Sequence, residues 1–275
     1  MGSYRVLERI GSGGMGRVYE VEHVATRGRF AMKTLRGRYA FDADAVSRFF
    51  LEADAIQALA HPSVVAIVDM VDAPPWPPSF VMELLEGETL ADALEREAPF
   101  SVERACRIAV DVGGALAAAH AKALVHRDLK PDNVFLARDA QGREVVKVLD
   151  FGVAKLLDES IQTKHRTAVG RHIGTPGHMA PEQLMGAAGV DHRADIYCLG
   201  ILLFEMLTGR LPFEGTVSEQ LLAMARKESP APSSLAPPAP APFPVWLDEL
   251  VLGCLKKQAA DRPQSMAEVL AALRR

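Results

Sequence analysis

HRDLKPDNVFL, residues 126–136, and LDFG, residues 149–152, form the stretch around which the rest of the chain is organised. An aspartate, a lysine and an asparagine lie within a few turns of each other, and a second aspartate follows a short predicted hairpin. Asparagine and aspartate supply the hard oxygen ligands that Mg²⁺ prefers, and a carboxylate in such a loop can accept a proton. The stretch therefore predicts chemistry on phosphate, which also needs a phosphate-binding loop and a substrate hydroxyl.

The composition is that of an ordinary soluble globular protein and excludes several function classes. The 275 residues are 49% hydrophobic and 24% charged, with a net charge of −4. No basic surface indicates nucleic acid, and no apolar run reaches the roughly 18 residues that span a bilayer. Cys106, Cys198 and Cys254 lack metal-ligand spacing and are predicted to be buried thiols in a reducing compartment. We predict a cytoplasmic chain, or the intracellular part of a longer, membrane-anchored protein.

A glycine-rich loop near the N-terminus supplies a candidate phosphate-binding site. Tyr4 to Ile10 alternates like a half-buried strand, GSGGMG follows at 11–16, and a second β-rich segment comes next. In a dinucleotide-binding unit these glycines would lead into a helix, so the motif here caps a hairpin instead. Glycines at such a tip let backbone N–H groups approach phosphate oxygens, although a plain flexible turn is the alternative.

Lys33 lies in the next predicted strand, RFAMKTL, and has a candidate partner on the helix that follows. A lysine in a strand is usually a solvated edge residue. The helix predicted over 42–59 carries Glu52 beside its apolar stripe, whereas the competing acid Asp54 falls on another side. Strands predicted at 64–73 and 79–85 complete a small antiparallel lobe of five strands and one helix.

The remainder of the chain has a helical pattern. Helices are predicted at 87–96, 101–124, 180–186, 195–209, 217–227, 246–257 and 265–275. Ser101 is the expected N-cap of the second of these. The proline-rich tract 229–246 is predicted to be an extended surface loop.

The ordered motifs resemble one family, the eukaryotic-type (Hanks-type) protein serine/threonine kinase catalytic domain, over essentially the whole chain. They are IGSGGMGRV, AMK, an acid on the following helix, HRDLKPDN, DFG, GTPGHMAPE, DIYCLG and DRP. The alanine- and proline-rich composition of the chain resembles that of bacterial serine/threonine kinases. The resemblance implies an α+β, bilobal fold in one domain, 1–275, with a small antiparallel N-lobe to about residue 83 and a larger, mainly helical C-lobe from about 84.

The resemblance also implies ATP as the bound nucleotide. The residues that would cover its phosphates are Gly11, Ser12, Gly13, Gly14 and Gly16. Lys33 would hold the α- and β-phosphates and be oriented by Glu52. The residues that would surround adenine are Val18, Ala31, Met82, Phe135 and the backbone of Glu83 and Leu85.

The catalytic roles follow from the same resemblance. Asn133 and Asp150 would bind Mg²⁺, with Mn²⁺ as the alternative metal. Asp128 would accept the proton of the substrate hydroxyl, and Lys130 would neutralise charge on the γ-phosphoryl group. Thr175 would form a hydrogen bond near Asp128 and Lys130. KPDN and the GT before APE resemble the serine/threonine class, so the implied substrates are protein serines and threonines.

Regulation is implied by Arg127, which directly precedes Asp128. A phosphate in the segment after Asp150 could be drawn to this arginine, and Thr167, then Thr163, are the predicted autophosphorylation sites. A transient homodimer would serve such a reaction.

Several neighbouring residues are given structural roles. His126 is predicted to be a packed loop residue without a catalytic role, and Asp195 and Gly200 are read as architectural. A Glu182–Arg262 ion pair is expected to tie the APE loop to the last helices. His178 stands where many relatives have an aromatic residue. This departure affects the expected fine substrate preference and not the expected phosphoryl transfer.

Three other function classes compete with an active protein kinase. A pseudokinase usually loses residues such as Lys33, Asp128 or Asp150, and all three are present. A small-molecule phosphotransferase would not need the GTPGHMAPE peptide platform. An oxidoreductase would need a helix after the glycines.

Overall fold

The computed structural model describes residues 2–12, 16–72, 75–151, 176–184, 186, 189–237 and 243–275. The predicted functional residues outside these ranges are Gly13, Gly14, Thr163, Thr167 and Thr175.

The described N-terminal residues form an antiparallel sheet with the spatial order β1-β2-β3-β5-β4. Its strands are β1 (Tyr4–Ser12), β2 (Gly16–His23), β3 (Arg29–Leu35), β4 (Ile67–Val71) and β5 (Ser79–Glu83). β1 and β2 form the predicted hairpin, with Ser12 opposite Arg17. The expectation of a half-buried β1 is wrong: only Tyr4 is buried, because β1 is the edge strand and packs mainly against β2.

Helix α1 (Ala43–Leu59) covers this sheet and confirms the helix predicted from the apolar stripe. Asp42 caps it by accepting hydrogen bonds from the Asp44 and Ala45 N–H groups. The buried face includes Phe49, which packs on Phe80 of β5 with ring centroids 4.9 Å apart. The same helical phase turns Glu52 inward and leaves Asp54 exposed.

A second sheet of three strands forms beside the helical part of the chain, and one of its strands lies where a helix is predicted. It has the order β6-β7-β8 and consists of β6 (Gly87–Thr89), β7 (Val134–Arg138) and β8 (Glu144–Val148). The segment predicted to be helical from Gly87 is therefore a strand up to Thr89. Gly87 has φ +148°, and a Cβ there would collide with the Leu136 carbonyl oxygen, so only glycine allows β6 to pair this closely.

The rest of the described chain is mainly helical. The helices are α2 (Leu90–Glu97), α3 (Val102–His120), α4 (Pro181–Leu184), α5 (Arg193–Thr208), α6 (Val217–Arg226), α7 (Val245–Cys254) and α8 (Met266–Leu273). Ser101 caps α3 as predicted, accepting from the Arg104 N–H at 3.2 Å. α5 is apolar nearly all round and is buried against α3 and α7, which makes it the central helix of this part.

Short 3₁₀ turns occur at Gly37–Phe41, Pro131–Asn133, Pro176–His178, Pro232–Ser234 and Ala259–Asp261. The proline-rich tract is thus not wholly extended, because one turn forms within it and α7 begins before its end. Cys198 and Cys254 are buried as predicted, but Cys106 is only half-buried. Across the described ranges, none of the helices combines the length and apolarity that crossing a membrane requires.

Candidate active site

One buried carboxylate, that of Asp195 in α5, fixes the loop between α3 and β7. It is 0% exposed, and its two oxygens accept the His126 N–H at 2.8 Å and the Arg127 N–H at 2.9 Å. His120 Nε2 lies 2.8 Å from the same carboxylate. Arg127 has φ +61°, which is uncommon for a residue with a Cβ, and these bonds hold the strained turn. The predicted architectural role of Asp195 is confirmed, and α5 thereby positions Asp128.

His126 is a packed loop residue, as predicted. Its Nδ1 accepts the Asp128 N–H at 3.2 Å, and its Nε2 lies 3.1 Å from the Leu149 carbonyl oxygen. The ring also packs on Phe151, with centroids 4.7 Å apart. Burial lowers the pKa of His126, which favours the neutral ring with its hydrogen on Nε2. The imidazole thus joins the loop between α3 and β7 to the segment before Phe151.

Asp128 and Asn133 are directly bonded to each other. Asn133 Nδ2 donates to the Asp128 carbonyl oxygen at 2.8 Å and to Asp128 Oδ2 at 3.2 Å. These bonds engage the amide nitrogen of Asn133 and direct its Oδ1 elsewhere. The side chain therefore orients the candidate base and keeps an oxygen that could bind a cation.

Lys33 and Asp150 meet across the two sheets. Lys33 Nζ donates to Asp150 Oδ1 at 2.6 Å, although the residues are 117 positions apart. Burial would raise the pKa of the Asp150 carboxyl, but the charge and hydrogen bond of Lys33 outweigh this and lower it. Burial likewise opposes the charge on Lys33, and Asp150 with Glu52 more than compensates, so its pKa is raised. Both groups are charged at neutral pH.

Glu52 does not form the ion pair with Lys33 that the resemblance implies. Its side chain is 6% exposed, and burial raises its pKa to about 7 against the attraction of Lys33, with Asp150 and Asp128 adding repulsion. A carboxyl that is half protonated near neutral pH is a weaker partner for Lys33 than the charged Asp150. In the structure the ammonium of Lys33 is paired with Asp150 instead.

Replacing Glu52 with glutamine is expected to stabilise the chain at pH 8. Because the folded pKa of Glu52 lies above its ordinary value, its contribution to stability is full below pH 4.5 and is lost as the pH rises through 7. At pH 8 the variant should gain on the order of 2 kcal/mol in free energy of unfolding, and the gain should shrink at pH 5. Urea unfolding at both values measures this. Asp54→Asn on the same helix is the control, and destabilisation by Glu52→Gln at pH 8 would point to a Lys33–Glu52 pair.

The register of the sheet places five of the predicted nucleotide-binding residues on one face. Directly opposed residues of an antiparallel pair share a face, and residues two apart on a strand do so as well. Gly11 pairs with Val18, Val18 with Lys33, and Ala31 with Met82. The apolar members therefore line the same side of the sheet as the Lys33 ammonium, as an adenine pocket beside a phosphate site requires.

Other predicted nucleotide-binding residues lie on neighbouring elements. Gly16 begins β2, where a Cβ would lie 2.8 Å from the Thr34 carbonyl oxygen, so the close approach of β3 requires glycine there. Ser12 is exposed at the end of β1, and Leu85 is half-buried beyond β5. Phe135 lies on β7 of the second sheet, opposite Thr89.

Glu83, at the end of β5, is held by three hydrogen bonds that sequence reasoning missed. Its N–H donates to the Ala66 carbonyl oxygen at 2.9 Å, and its Oε1 accepts the Ala66 N–H at 2.8 Å. Lys147 Nζ of β8 donates to the same Oε1 at 2.6 Å. Backbone groups of Glu83 and Leu85 are expected to bind the edge of adenine, and the N–H of Glu83 is engaged with Ala66 in this structure. Lys147, three residues before Asp150, is visible in the sequence as a possible cation for an ion pair, but no neighbouring residue identifies Glu83 as its partner.

The donor set fits a hard divalent cation. Leu149 N–H donates to the Asn133 carbonyl oxygen at 2.8 Å, which brings Asn133 next to Asp150. Within the described ranges, no three His, Cys, Asp or Glu side chains are grouped so as to hold a metal. Mg²⁺ usually takes one or two protein ligands and completes its shell with phosphate and water. Asn133 and Asp150 fit that pattern better than a metal site built by protein alone.

The remaining predicted positions concern the approach of a substrate. Lys130 follows the candidate base Asp128 by two positions, and its Nζ lies 3.9 Å from Asp132 Oδ2. The predicted Glu182–Arg262 ion pair is confirmed, with the two terminal nitrogens of the guanidinium 2.7 and 2.8 Å from the carboxylate oxygens. This pair ties α4 to the last helices of the chain.

Comparisons with known proteins agree with this geometry. The family model described as "Protein kinase domain" matches residues 4–272. The chain is 43% identical over 268 residues to serine/threonine-protein kinase Pkn1 of Myxococcus xanthus, covering 97% of the chain and 37% of that protein. It is 36% identical over 273 residues to serine/threonine-protein kinase PknB of Mycobacterium tuberculosis, covering 98% and 42%.

The fold is similar to the crystal structure of the Mycobacterium tuberculosis PknI kinase domain. The TM-score is 0.72 at 26% identity, covering 99% of this chain and 95% of that one. The chain spans 37% and 42% of the two curated relatives above. The likeness therefore concerns one domain of longer proteins.

Proposed function

The chain belongs to the protein kinase domain family, and we propose that it transfers the γ-phosphoryl group of ATP to serine and threonine hydroxyls of proteins. The observation that carries the proposal is the contact of Lys33 with Asp150 beside the bonded pair of Asp128 and Asn133. A cation for phosphate, two oxygen ligands for a metal and a carboxylate base are thereby brought together from distant parts of the chain.

In the proposed reaction, Lys33 binds the α- and β-phosphates, and the apolar face of the N-terminal sheet holds adenine. Asn133 and Asp150 would hold Mg²⁺, which would neutralise charge on the phosphates when bound. The acceptor oxygen forms a bond to the γ-phosphorus as the bond to the β–γ bridging oxygen breaks, giving ADP. Asp128 accepts the hydroxyl proton, and Lys130 neutralises charge on the phosphoryl group during transfer.

The direct test is transfer of labelled phosphate from ATP by the purified chain to a mixed protein substrate. Transfer to serine and threonine is expected with Mg²⁺, and removal of divalent metal by EDTA should abolish it. Mn²⁺ should restore part of the rate. Nucleotide binding without transfer, even after pre-phosphorylation by an active relative, would favour the pseudokinase alternative.

Autophosphorylation of Thr167 or Thr163 remains part of the proposal, with Arg127 as the residue that would bind the phosphate. Thr175 keeps its proposed place near Asp128 and Lys130. Phosphopeptide mapping of the same reaction tests the autophosphorylation, and the absence of label on both threonines would contradict it.

Because the reaction uses ATP, the proposal places this domain in the cytoplasm. Two chains meeting transiently would allow phosphorylation of one by the other.

A further inference from the structure

Gln183, in the short helix α4, bonds two backbone groups that belong to different segments of the chain. Its Nε2 donates to the Arg127 carbonyl oxygen at 2.7 Å, and its Oε1 accepts the Ala180 N–H at 2.9 Å. A carbonyl only accepts and an N–H only donates, so these two partners fix the orientation of the amide. A charged glutamate in its place would serve Ala180 but not Arg127, and a methionine would serve neither.

The bond to Arg127 holds the peptide unit that precedes the candidate base. The Arg127 carbonyl belongs to the same planar unit as the Asp128 N–H, which donates to His126 Nδ1 at 3.2 Å. Gln183 therefore holds this unit on its oxygen side, and His126 holds it on its nitrogen side. The rotation of the unit sets ψ of Arg127 and φ of Asp128. These angles direct the Asp128 side chain relative to the rest of the loop.

The strained backbone of Arg127 makes this restraint matter. Its φ of +61° lies in the left-handed region, which a residue with a Cβ adopts at a cost. Asp195 Oδ1 of α5 accepts the Arg127 N–H at 2.9 Å, and Gln183 of α4 bonds the carbonyl on the other side of the residue. Without the bond from Gln183, the residue could relax by rotating its carbonyl side. The Asp128 carboxylate would then spend less time in its productive orientation.

The segment that carries Gln183 is attached to the rest of the chain by other bonds. Glu182, the preceding residue, is bonded to Arg262 through both carboxylate oxygens. The 3₁₀ turn Pro176–His178 is attached to α5, since His178 Nε2 lies 2.7 Å from Glu205 Oε2. A substitution of Gln183 leaves both attachments in place, so its effect should fall on the candidate base and not on the turn.

We propose, on the basis of the function proposed above, that Gln183 is a positioning residue for Asp128. It acts through the peptide unit between Arg127 and Asp128, and not by contact with the reacting atoms. Gln183 directly follows the GTPGHMAPE segment, 174–182. One side chain thus attaches the base to the part of the chain that is expected to bind the peptide substrate.

Two substitutions of similar size test the donated hydrogen bond. Gln183→Glu keeps the acceptor for Ala180 but, when charged, turns a second oxygen toward the Arg127 carbonyl. At pH 8 its kcat for a serine peptide should fall by about tenfold, with KM for the peptide and for ATP within about twofold of the unaltered values. Gln183→Met removes both the donor and the acceptor and should lower kcat at least as much.

The pH profile distinguishes positioning from general damage to the fold. A protonated carboxyl at position 183 again has a hydrogen to donate to the Arg127 carbonyl. The ratio of kcat for Gln183→Glu to kcat for the unaltered chain should therefore rise as the pH is lowered from 8 to 5.5, whereas the ratio for Gln183→Met should stay constant. An unaltered kcat for Gln183→Glu at pH 8, or a constant ratio across this range, would overturn the role of Gln183.

The controls address titration of neighbouring groups and loss of folded protein. The ionisable groups around the amide are Cys198 and Asp195 of α5, Glu182 of α4, Arg262, and His126, Arg127 and Asp128 of the loop. They are the same in all of these chains, so their own titration cancels in the ratios. Gln57→Glu, at an exposed position of α1, should keep its kcat within about twofold at every pH. Urea unfolding of each variant at pH 8 and 5.5 measures the folded fraction, by which kcat is corrected.

Hydrogen exchange of three loop amides, followed by NMR, separates this inference from the proposed function. In Gln183→Met the Asp128 amide should exchange about tenfold faster, because its peptide unit has lost one of two restraints. The His126 and Arg127 amides, both bonded to Asp195, should exchange as in the unaltered chain. Faster exchange at Asp128 alone, in a chain that transfers no phosphate, would support the restraint by Gln183 and reject the kinase reaction. Transfer with unchanged kcat and unchanged exchange in the variant would support the reaction and reject the role of Gln183.

Discussion

The chain with Asp128 replaced by asparagine is expected to bind ATP normally and to lose phosphoryl transfer by a factor of about 10²–10⁴. Asparagine keeps the shape of the side chain, and its amide oxygen can still accept from Asn133 Nδ2, which lies 3.2 Å from Asp128 Oδ2. What it cannot do is accept the hydroxyl proton. The loss should therefore appear in kcat, with little change in KM for ATP.

Steady-state kinetics with Mg²⁺ and ATP measure this effect, beside nucleotide binding by calorimetry. Asp72→Asn, an exposed acid after β4, is the matched control and should keep its kcat within about twofold. An unchanged kcat for Asp128→Asn would remove the aspartate from the role of base. Loss of nucleotide binding would instead show that the side chain is structural.

The second large effect is on stability: Arg262→Ala should lower the free energy of unfolding by about 3–5 kcal/mol. The Arg262 side chain is 0% exposed, and its guanidinium donates to both carboxylate oxygens of Glu182. It also donates to the carbonyl oxygens of Arg193 at 2.9 Å, Lys256 at 2.8 Å and Lys257 at 3.0 Å. Alanine would leave a carboxylate and three carbonyls without these donors.

Urea unfolding followed by circular dichroism measures this loss. Lys256→Ala removes an exposed cation 3.6 Å from Glu228 in the same region, and it should cost less than about 1 kcal/mol. If Arg262→Ala cost no more than Lys256→Ala, the buried network would contribute nothing beyond a surface pair. Glu182→Gln should fall between the two, because the amide still accepts from the guanidinium.

Local patterns predicted the elements that carry the site. The phase of α1, which repeats every 3.6 residues, was enough to turn Glu52 inward and Asp54 outward. The alternation around the glycines was enough to predict the β1–β2 hairpin. Both features depend on residues that are close in the chain, so a local sequence pattern is enough to predict them.

Features that depend on distant neighbours were not predictable in the same way. Lys33 pairs with Asp150, which lies 117 positions further along the chain, and no local pattern brings these two residues together. β6 was predicted to be helical because Gly87 to Thr89 lead into α2 without a break, whereas its pairing with β7 comes from more than 40 residues further along. The Glu83–Lys147 contact joins two strands in the same non-local manner.

α5 also determines how much variation in length the site can accept. The loop that contains Asp128 is bonded to it at Asp195, and the turn that contains His178 is bonded to it at Glu205. At 1.5 Å per residue these positions are about 15 Å apart along one buried helix. The distance between the loop that contains Asp128 and the turn that contains His178 is therefore set by a rigid helix and not by the number of residues that connect them along the chain. Insertions or deletions in that connection would leave the spacing between these two attachment points unchanged.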